Sequence, residues 1–230
     1  MTKRHTDLDA LELPLYSYSE ADYLAGATRG TASRWLSGYR YKSISGDVTQ
    51  RPPVTKRADI ELKGVSFVDL VEVVAIGRLK EIGFSLLDIR RMVENCQAVF
   101  NVRHPLASLE FKVGGEEVFV SQGGTLVEIL KGRGRRAWQE VLQPFIETLD
   151  YHGQLAKRWW PLGKSVPVLV DPEYGYGFPV IQGSGVRTEI ILERLQAGDS
   201  REQIAEDFKV HPKEVDSALR FEATLFKRAA

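Results

Sequence analysis

The sequence is poor in the residues that form cross-links and metal clusters. Its 230 residues include one cysteine, Cys96, and four histidines scattered over unrelated segments. A single cysteine excludes an intramolecular disulfide and a cysteine-rich metal site, and on its predicted helix we expect Cys96 to be buried. The sequence also lacks a phosphate-binding glycine loop and a GxSxG motif. We therefore expect no enzyme activity, no cofactor and no metal.

The chain also lacks an excess of charge of either sign and any long apolar run. Lys and Arg together number 31, as do Asp and Glu, so whole-chain charge gives no argument for a nucleic-acid partner. The longest strongly apolar stretch, around Val73–Ile76, is far shorter than the ~20 residues of a membrane helix. Residues 1–10 have no apolar core typical of a signal peptide. We expect a cytoplasmic protein with no membrane association.

Three regions differ in residue pattern. Apolar residues recur with helical spacing in the first and last regions, whereas the middle region alternates short apolar strands with glycine pairs. The sequence predicts an α+β, mainly helical fold. Its expected parts are a flexible N-terminus at 1–15, a winged helix-turn-helix domain at 16–104, a small α+β domain at 105–170 and a helix-turn-helix domain at 171–230.

Two short helices are predicted at the start of the first domain. Ser19 is a suitable N-cap for the first, and Gly26 is a suitable end. Thr28 can cap a second helix that runs to about Ser37. Two short helices separated by a glycine-containing turn form a helix-turn-helix, although any helical hairpin has a similar pattern.

A basic segment follows these helices. From Arg29 to Lys63 there are eight basic and three acidic residues, a net charge of +5 in a neutral chain, with Tyr39 and Tyr41 among them. This pattern predicts a β-hairpin wing that contacts phosphates, with a solvated charged loop as the alternative. The predicted DNA contacts are Arg29, Thr31, Arg34, Tyr39, Arg40, Lys42, Arg51, Lys56 and Arg57.

Two further helices carry a family resemblance. Ser66 with Asp69 predicts a capping box, and Ser85 opens the next helix. The stretch 81–90, EIGFSLLDIR, is close to a characteristic stretch of the MerR family of winged-helix regulators. The chain resembles that family over about residues 16–100, and within this range the other matching stretches are 18–24, 28–36 and 70–79. The resemblance implies an operator-binding domain, but Pro105 interrupts the chain where the MerR dimerisation helix would continue.

The middle region predicts a hairpin and a helix. Apolar residues alternate over 109–113 and 118–120 around Gly114-Gly115, which is typical of a β-hairpin. A helix is predicted from about Arg135 to Leu149, kinked by Pro144, with closing strands at 158–161 and 166–170. We expect the hairpin and this helix to form a homodimer interface; a ligand-sensing pocket is the alternative.

The last region carries a second resemblance. A helix is predicted over Thr188–Ala197, Ser200 with Gln203 predicts a capping box, and Pro212 fits a first helical turn. The run 171–223 resembles a small bacterial domain of unknown function found in VapB-type antitoxins, through DPE at 171, PVIxGxGV at 179, AG at 197 and IAEDF at 204. The resemblance implies an antitoxin whose partner is a PIN-type ribonuclease toxin.

The net charges of the two end regions favour different partners. Residues 180–230 carry eight basic and nine acidic residues, a poor balance for binding phosphates. We expect this region to bind the toxin, through residues drawn from Asp171, Gly183, Phe208, Val215 and Leu219. The sequence thus predicts a homodimeric antitoxin and transcriptional autorepressor that binds double-stranded operator DNA. The alternatives are a stand-alone MerR-like regulator with a ligand-sensing middle domain, and a protein-binding adaptor that never contacts DNA.

Overall fold

The fold is α+β and mainly helical, as predicted. A computed structural model describes residues 10–42, 46–55, 57, 63–109, 111–112 and 138–229. The chain forms two compact units, Met1–Ile146 with Tyr151–Ala156 and Glu147–Asp150 with Lys157–Ala230. Among the described residues, no helix has the length and apolarity needed to span a bilayer.

The elements of the first unit are mostly helices. They are the 3-10 turn Ala10–Glu12, α1 (Tyr18–Ala25), α2 (Thr31–Ser37), β1 (Tyr39–Lys42), β2 (Val48–Arg51), α3 (Phe67–Glu81), α4 (Leu86–Phe100), the 3-10 turn Pro105–Ala107 and the π-helical turn Trp138–Leu142. The chain then continues through α5 (Gln143–Glu147), β3 (Leu149–His152) and β4 (Leu155–Trp159), and β3 pairs with β4.

The helix α1 begins two residues earlier than the sequence predicts. Its N-cap is Ser17, not Ser19, because Glu20 lies three residues after Ser17 and completes a capping box. The Glu20 carboxylate accepts from the Ser17 backbone N–H at 2.7 Å, while the Ser17 hydroxyl accepts from Glu20 N–H at 3.2 Å. Gly26 ends the helix in the left-handed conformation, as predicted.

The helix α2 has a cap that local sequence does not predict. Its N-cap is Gly30 and not Thr28. The carboxylate of Asp22, on α1, accepts from the Gly30 N–H at 2.6 Å and from the Ala32 N–H at 2.7 Å. Asp22 is 4% exposed, so this buried carboxylate fixes the start of α2 against α1.

The helix α3 is the centre of the first unit. Every residue from Phe67 to Ile76 is buried, and the helix contacts α1, α2 and α4. A helix that is apolar on nearly every face is stable only when surrounded by protein. The predicted capping box of Ser66 with Asp69 is confirmed, as is the Ser85 cap of α4.

The middle region differs from its prediction. Leu109, Phe111 and Lys112 are helical and not the first strand of a hairpin. The reason is Ser108, whose hydroxyl accepts from the Phe111 N–H at 3.2 Å as a helix N-cap does. The rest of the predicted hairpin lies outside the described residues.

The predicted helix of the middle region is shorter than expected. It ends at Glu147, and Leu149 begins a strand. Pro144, which cannot donate a backbone hydrogen bond, was expected to kink this helix. It is the second residue of α5, and a wide π-helical turn precedes α5. Of the predicted closing strands, 158–161 overlaps the end of β4, and 166–170 contains the short strand Val168–Leu169.

The second unit combines a small sheet with three helices. These elements are β5 (Val168–Leu169), the 3-10 turn Gly175–Gly177, β6 (Val180–Ile181), α6 (Thr188–Gln196), α7 (Arg201–Phe208) and α8 (Pro212–Ala229). β5 and β6 are antiparallel, with Val168 opposite Ile181 and Leu169 opposite Val180. The Ser200 capping box and the Pro212 helix start are confirmed. A core of buried side chains joins β6 to the helices: Ile181, Ile191, Ile204, Ala205, Val215 and Ala218.

We predict that Asp22→Ala destabilises the first unit. The change leaves two backbone N–H groups without their acceptor, and each orphaned buried donor costs about 1–3 kcal/mol. Chemical denaturation should show this loss in the free energy of unfolding. The exposed Glu94 of α4 supplies a control, because Glu94→Ala should change stability by less than about 0.5 kcal/mol. Equal stabilities of the two variants would contradict the role given to Asp22.

Candidate nucleic-acid interface and partner-binding surface

The hairpin β1–β2 follows α2 without a linker. Its strands are antiparallel, with Tyr39 opposite Arg51 and Lys42 opposite Val48. Gly38 makes the junction possible, because it has φ +72° and any Cβ there would lie 2.5 Å from the Arg51 carbonyl oxygen. The hairpin is therefore held directly beside the end of α2.

Contacts from α2 and α4 anchor the base of the hairpin, where the chain leaves β2. The Val54 N–H donates to the Trp35 carbonyl of α2 at 2.7 Å. Arg90, on α4, donates to the carbonyl oxygens of Pro52 and Pro53, each at 2.9 Å. Arg90 is the last residue of the EIGFSLLDIR stretch, and its role was not predicted from the sequence. It ties the base of the hairpin to the helical core.

The hairpin presents aromatic rings and cations together to solvent. The rings of Tyr39 and Tyr41 have centroids 6.0 Å apart. Arg51 lies 5.7 Å from the Tyr41 ring centroid and donates to its hydroxyl at 3.2 Å. The exposed basic residues of α2, the turn before it and the hairpin are Arg29, Arg34, Arg40, Lys42 and Arg51.

Two predicted DNA contacts are buried, which corrects the predicted set. Thr31 is 6% exposed and its hydroxyl is 3.0 Å from that of Thr28. The Arg57 side chain is also 6% exposed; it is paired with Asp69 at 3.1 Å and donates to the Gly64 carbonyl at 2.6 Å. Both side chains support the fold and are not presented to a ligand. Lys56 lies outside the described residues.

A buried group of charged residues lies beneath α3. Asp69, Glu72 and His104 are buried, and one possible metal-ligating atom of each lies within 4.8 Å of the others. His104 Nδ1 is 3.2 Å from Glu72 Oε2, and His104 Nε2 is 3.2 Å from Glu12 Oε1. This group was not predicted from the sequence, because its two carboxylates, three residues apart on α3, meet a histidine 32 residues after Glu72.

The electrostatics of this group follow from burial and from its own contacts. Burial alone would lower the pKa of His104, but hydrogen bonds with Glu12 and Glu72 raise that pKa to about 10. Burial raises the pKa of Glu72, against the opposing contact with His104. Cys96, also buried as predicted, has a pKa raised by burial to about 12, so its thiol stays protonated and unreactive.

Most of the predicted partner-binding residues belong to the core. Asp171 and Val215 are buried, and Asp171 accepts from Arg158 at 2.8 Å. Phe208 and Leu219 pack against the core of the second unit. The structure therefore places two of these four side chains in the interior of the second unit and two partly buried against its core. Only Gly183 lies in an exposed loop.

Tyr176 is the most exposed aromatic residue among the described residues of the second unit. Its side chain is 77% exposed, and its backbone is left-handed, with φ 55° and ψ 36°. The flanking glycines hold this turn: a Cβ at Gly175 would lie 2.5 Å from Val180, and the Gly177 N–H donates to the Asp171 carbonyl at 3.1 Å. The turn therefore holds an aromatic ring out in solvent at a strained position.

Comparison with known proteins gives a match for part of the chain. Residues 168–221 match the family described as "Protein of unknown function (DUF433)". This range coincides with the run 171–223 that resembles a domain of VapB-type antitoxins.

Two curated proteins of Mycobacterium tuberculosis match almost the whole chain. One, named "Putative antitoxin VapB45", is 27% identical over 225 residues, covering 90% of this chain and 93% of that protein. Another, "Uncharacterized protein Rv2308", is 25% identical over 226 residues, covering 92% and 91%. A crystal structure of Rv2018 from the same organism superposes with a TM-score of 0.66 at 23% identity, covering 90% of this chain and 98% of that one. The last similarity concerns the fold alone.

Proposed function

We propose that this chain is a non-enzymatic antitoxin of a toxin–antitoxin system that also represses its own operator. The observation that carries the proposal is the similarity over 90% of the chain to a protein named as an antitoxin. Its first unit is the DNA-binding part, a MerR-like winged helix-turn-helix with α2 as recognition helix and β1–β2 as wing. Its second unit ends in a helix-turn-helix and binds a PIN-type ribonuclease toxin. The chain acts in the cytoplasm.

The distribution of exposed charge supports the DNA-binding role of the first unit. Arg29 lies in the turn before α2 and Arg34 lies halfway along this seven-residue helix, and both are exposed on the segment that would enter a major groove. Arg40, Lys42 and Arg51 project from the hairpin, where a wing contacts phosphates. Asp22 and Arg90 hold the helix and the hairpin in place from behind. Exposed cations on fixed elements suit a duplex.

We predict that Arg34→Ala with Arg40→Ala weakens binding to the DNA upstream of the chain's own gene. Loss of a guanine contact by Arg34 costs roughly 1–3 kcal/mol, about 5- to 150-fold in Kd. If both side chains contact phosphates, the plot of log K against the logarithm of salt concentration becomes less steep in the variant, by about 1.8 in slope. Fluorescence anisotropy at several salt concentrations measures both quantities.

The control changes the same charge elsewhere. Arg201→Ala with Lys209→Ala removes two exposed cations of the second unit, and operator affinity should stay within about twofold of the wild type. An unchanged affinity for the Arg34 and Arg40 variant would remove the proposed interface. An equal loss in both variants would point to non-specific electrostatics.

We predict that the full chain is a homodimer held by segments after residue 100. One winged helix contacts few phosphates, and two-fold operators are matched by two-fold symmetric proteins. Light scattering at micromolar concentration should give twice the 25.9 kDa mass of one chain. A monomer both free and on DNA would contradict the prediction.

The exposed turn around Tyr176 supports a partner-binding role for the second unit. An aromatic side chain has few rotatable bonds and so loses little conformational entropy on binding, and Tyr is enriched among the residues that dominate interface energies. The nearly neutral charge of residues 180–230 is poor for phosphates. Deletion from residue 171 is unsuitable as a test, because it separates the paired strands β5 and β6.

We predict that Tyr176→Ala weakens capture of the toxin encoded by the neighbouring gene. Loss of a central aromatic anchor costs about 2 kcal/mol or more, at least 30-fold in Kd. The protein pair is co-expressed and co-purified, and its Kd is measured by calorimetry. Alanine, like tyrosine, would be a non-glycine residue in the left-handed conformation here, so the free energy of unfolding should change little.

The hairpin provides the matched control. Tyr39→Ala also removes an exposed aromatic ring and should weaken operator binding while leaving toxin capture intact. Tyr176→Ala should do the reverse. If Tyr39→Ala impairs toxin capture and Tyr176→Ala impairs DNA binding, the roles of the two units are interchanged.

A further inference from the structure

The buried group beneath α3 has the composition and geometry of a cation site. Asp69 and Glu72 lie one helical turn apart on α3, and His104 comes from the segment after α4. Residues at i and i+3 face the same side of a helix, so the two carboxylates point to the same region. One ligand atom from each of the three side chains lies within 4.8 Å of the others.

Two carboxylate oxygens in this group have unused binding capacity. Oδ2 of Asp69 accepts from the Ser66 N–H and from Arg57 Nε, each at 3.1 Å. Oδ1 of Asp69 is buried without a hydrogen-bond partner among the described residues. Oε1 of Glu72 also lacks a hydrogen-bond partner among the described residues, and Glu72 is 0% exposed. Buried oxygens of this kind ordinarily have a partner, so each of these two can accept a contact from a bound ion.

The histidine is oriented as a metal-binding imidazole is. Its Nδ1 lies 3.2 Å from Glu72 Oε2, a hydrogen-bonded contact in which a metal ion can replace the shared proton. The separation of two ligands on one tetrahedral Zn²⁺ is ~3.3 Å for bonds of ~2.0–2.1 Å. The other ring nitrogen, Nε2, faces the Glu12 carboxylate at 3.2 Å. A carboxylate behind the ring is the usual means of fixing a metal-ligating histidine.

We propose that Asp69, Glu72 and His104 bind one divalent transition-metal ion, of which Zn²⁺ and Co²⁺ are suitable probes. Asp69 Oδ1, a Glu72 carboxylate oxygen and His104 Nδ1 are the protein ligands. Without a metal, the three carboxylates of Asp69, Glu72 and Glu12 are balanced by Arg57, Arg103 and the protonated ring of His104. A metal ion bound at Nδ1 takes the place of the proton there, so a divalent ion adds one net positive charge to the group. One nitrogen and two oxygens favour a borderline metal over Ca²⁺ or Mg²⁺.

The proposal goes beyond the proposed function and does not depend on it. All four side chains belong to the first unit, and the site needs neither DNA nor toxin. The metal would join α3 to the segment after α4. Arg57, on the opposite oxygen of Asp69, also donates to the Tyr18 hydroxyl of α1 at 3.2 Å. The site is therefore continuous with the hydrogen bonds that position the first helices.

The test uses the full chain without a polyhistidine tag, stripped with a chelator and titrated with Co²⁺. We expect one Co²⁺ per chain, a visible d–d absorption band, and displacement of that band by one equivalent of Zn²⁺. Glu72→Gln and His104→Gln should each weaken binding at least 100-fold. Gln at position 104 can reach Glu12 but leaves the Nδ1 position empty. Glu12→Gln removes the carboxylate behind the ring together with its ion pair to Arg103, and should cost about 10- to 100-fold.

Two further measurements separate the site from its alternatives. His211→Gln removes an exposed histidine of the second unit and should leave the band unchanged. X-ray absorption of the Zn²⁺-loaded wild type should show a nitrogen and oxygen shell without sulfur, and does not depend on any variant folding. The proposal is overturned if the wild type fails to bind Co²⁺ at one equivalent. It is also overturned if folded Glu72→Gln and His104→Gln chains retain the band, or if sulfur or more than one imidazole is detected.

Discussion

The first unit depends on the burial of a helix that carries two carboxylates. The helix α3 is surrounded by α1, α2 and α4, and its apolar side chains supply most of the local hydrophobic stabilisation. Asp69 and Glu72 lie in the same buried stretch, where an uncompensated charge would cost several kcal/mol. Their partners therefore determine where the neighbouring segments lie. Arg57 fixes the chain after the hairpin, and His104 fixes the chain after α4.

Buried carboxylates also determine the geometry of the surface proposed to bind DNA. Asp22 replaces a local cap and joins the start of α2 to α1 with two short hydrogen bonds. Arg90 positions the hairpin in a comparable way, because its guanidinium donates to two consecutive backbone carbonyl oxygens, those of Pro52 and Pro53. The exposed cations are thus carried on elements that are fixed from the inside. Preorganisation of this kind reduces the entropy lost when a ligand is bound.

The sequence predicted those parts of the fold that depend on neighbouring residues. Capping boxes at Ser66 and Ser200 and the end of α1 at Gly26 were predictable because each motif lies within a few residues. The failures involve competition between local patterns or contacts over long separations. The alternation of apolar residues from Leu109 suggested a strand, but the Ser108 cap favours a helix. The cap that Asp22 supplies to α2 could not be inferred, because its N–H donors lie eight and ten residues away.

The same distinction explains which site residues were predictable. Charge near a predicted turn identified the exposed Arg34 and Arg40, because solvent-exposed cations follow from local composition. Arg57 has the same charge but is buried, since its partner Asp69 is twelve residues away and faces inward. Val215 was selected for its helical spacing, which a core and an interface share. Tyr176 was missed because its exposure arises from the left-handed backbone of a glycine-flanked turn and not from periodicity. Tertiary contacts therefore determine whether a side chain is available to a partner. The residues that are hardest to assign to a surface or a core from sequence are those whose backbone conformation or charge pairing depends on tertiary contacts.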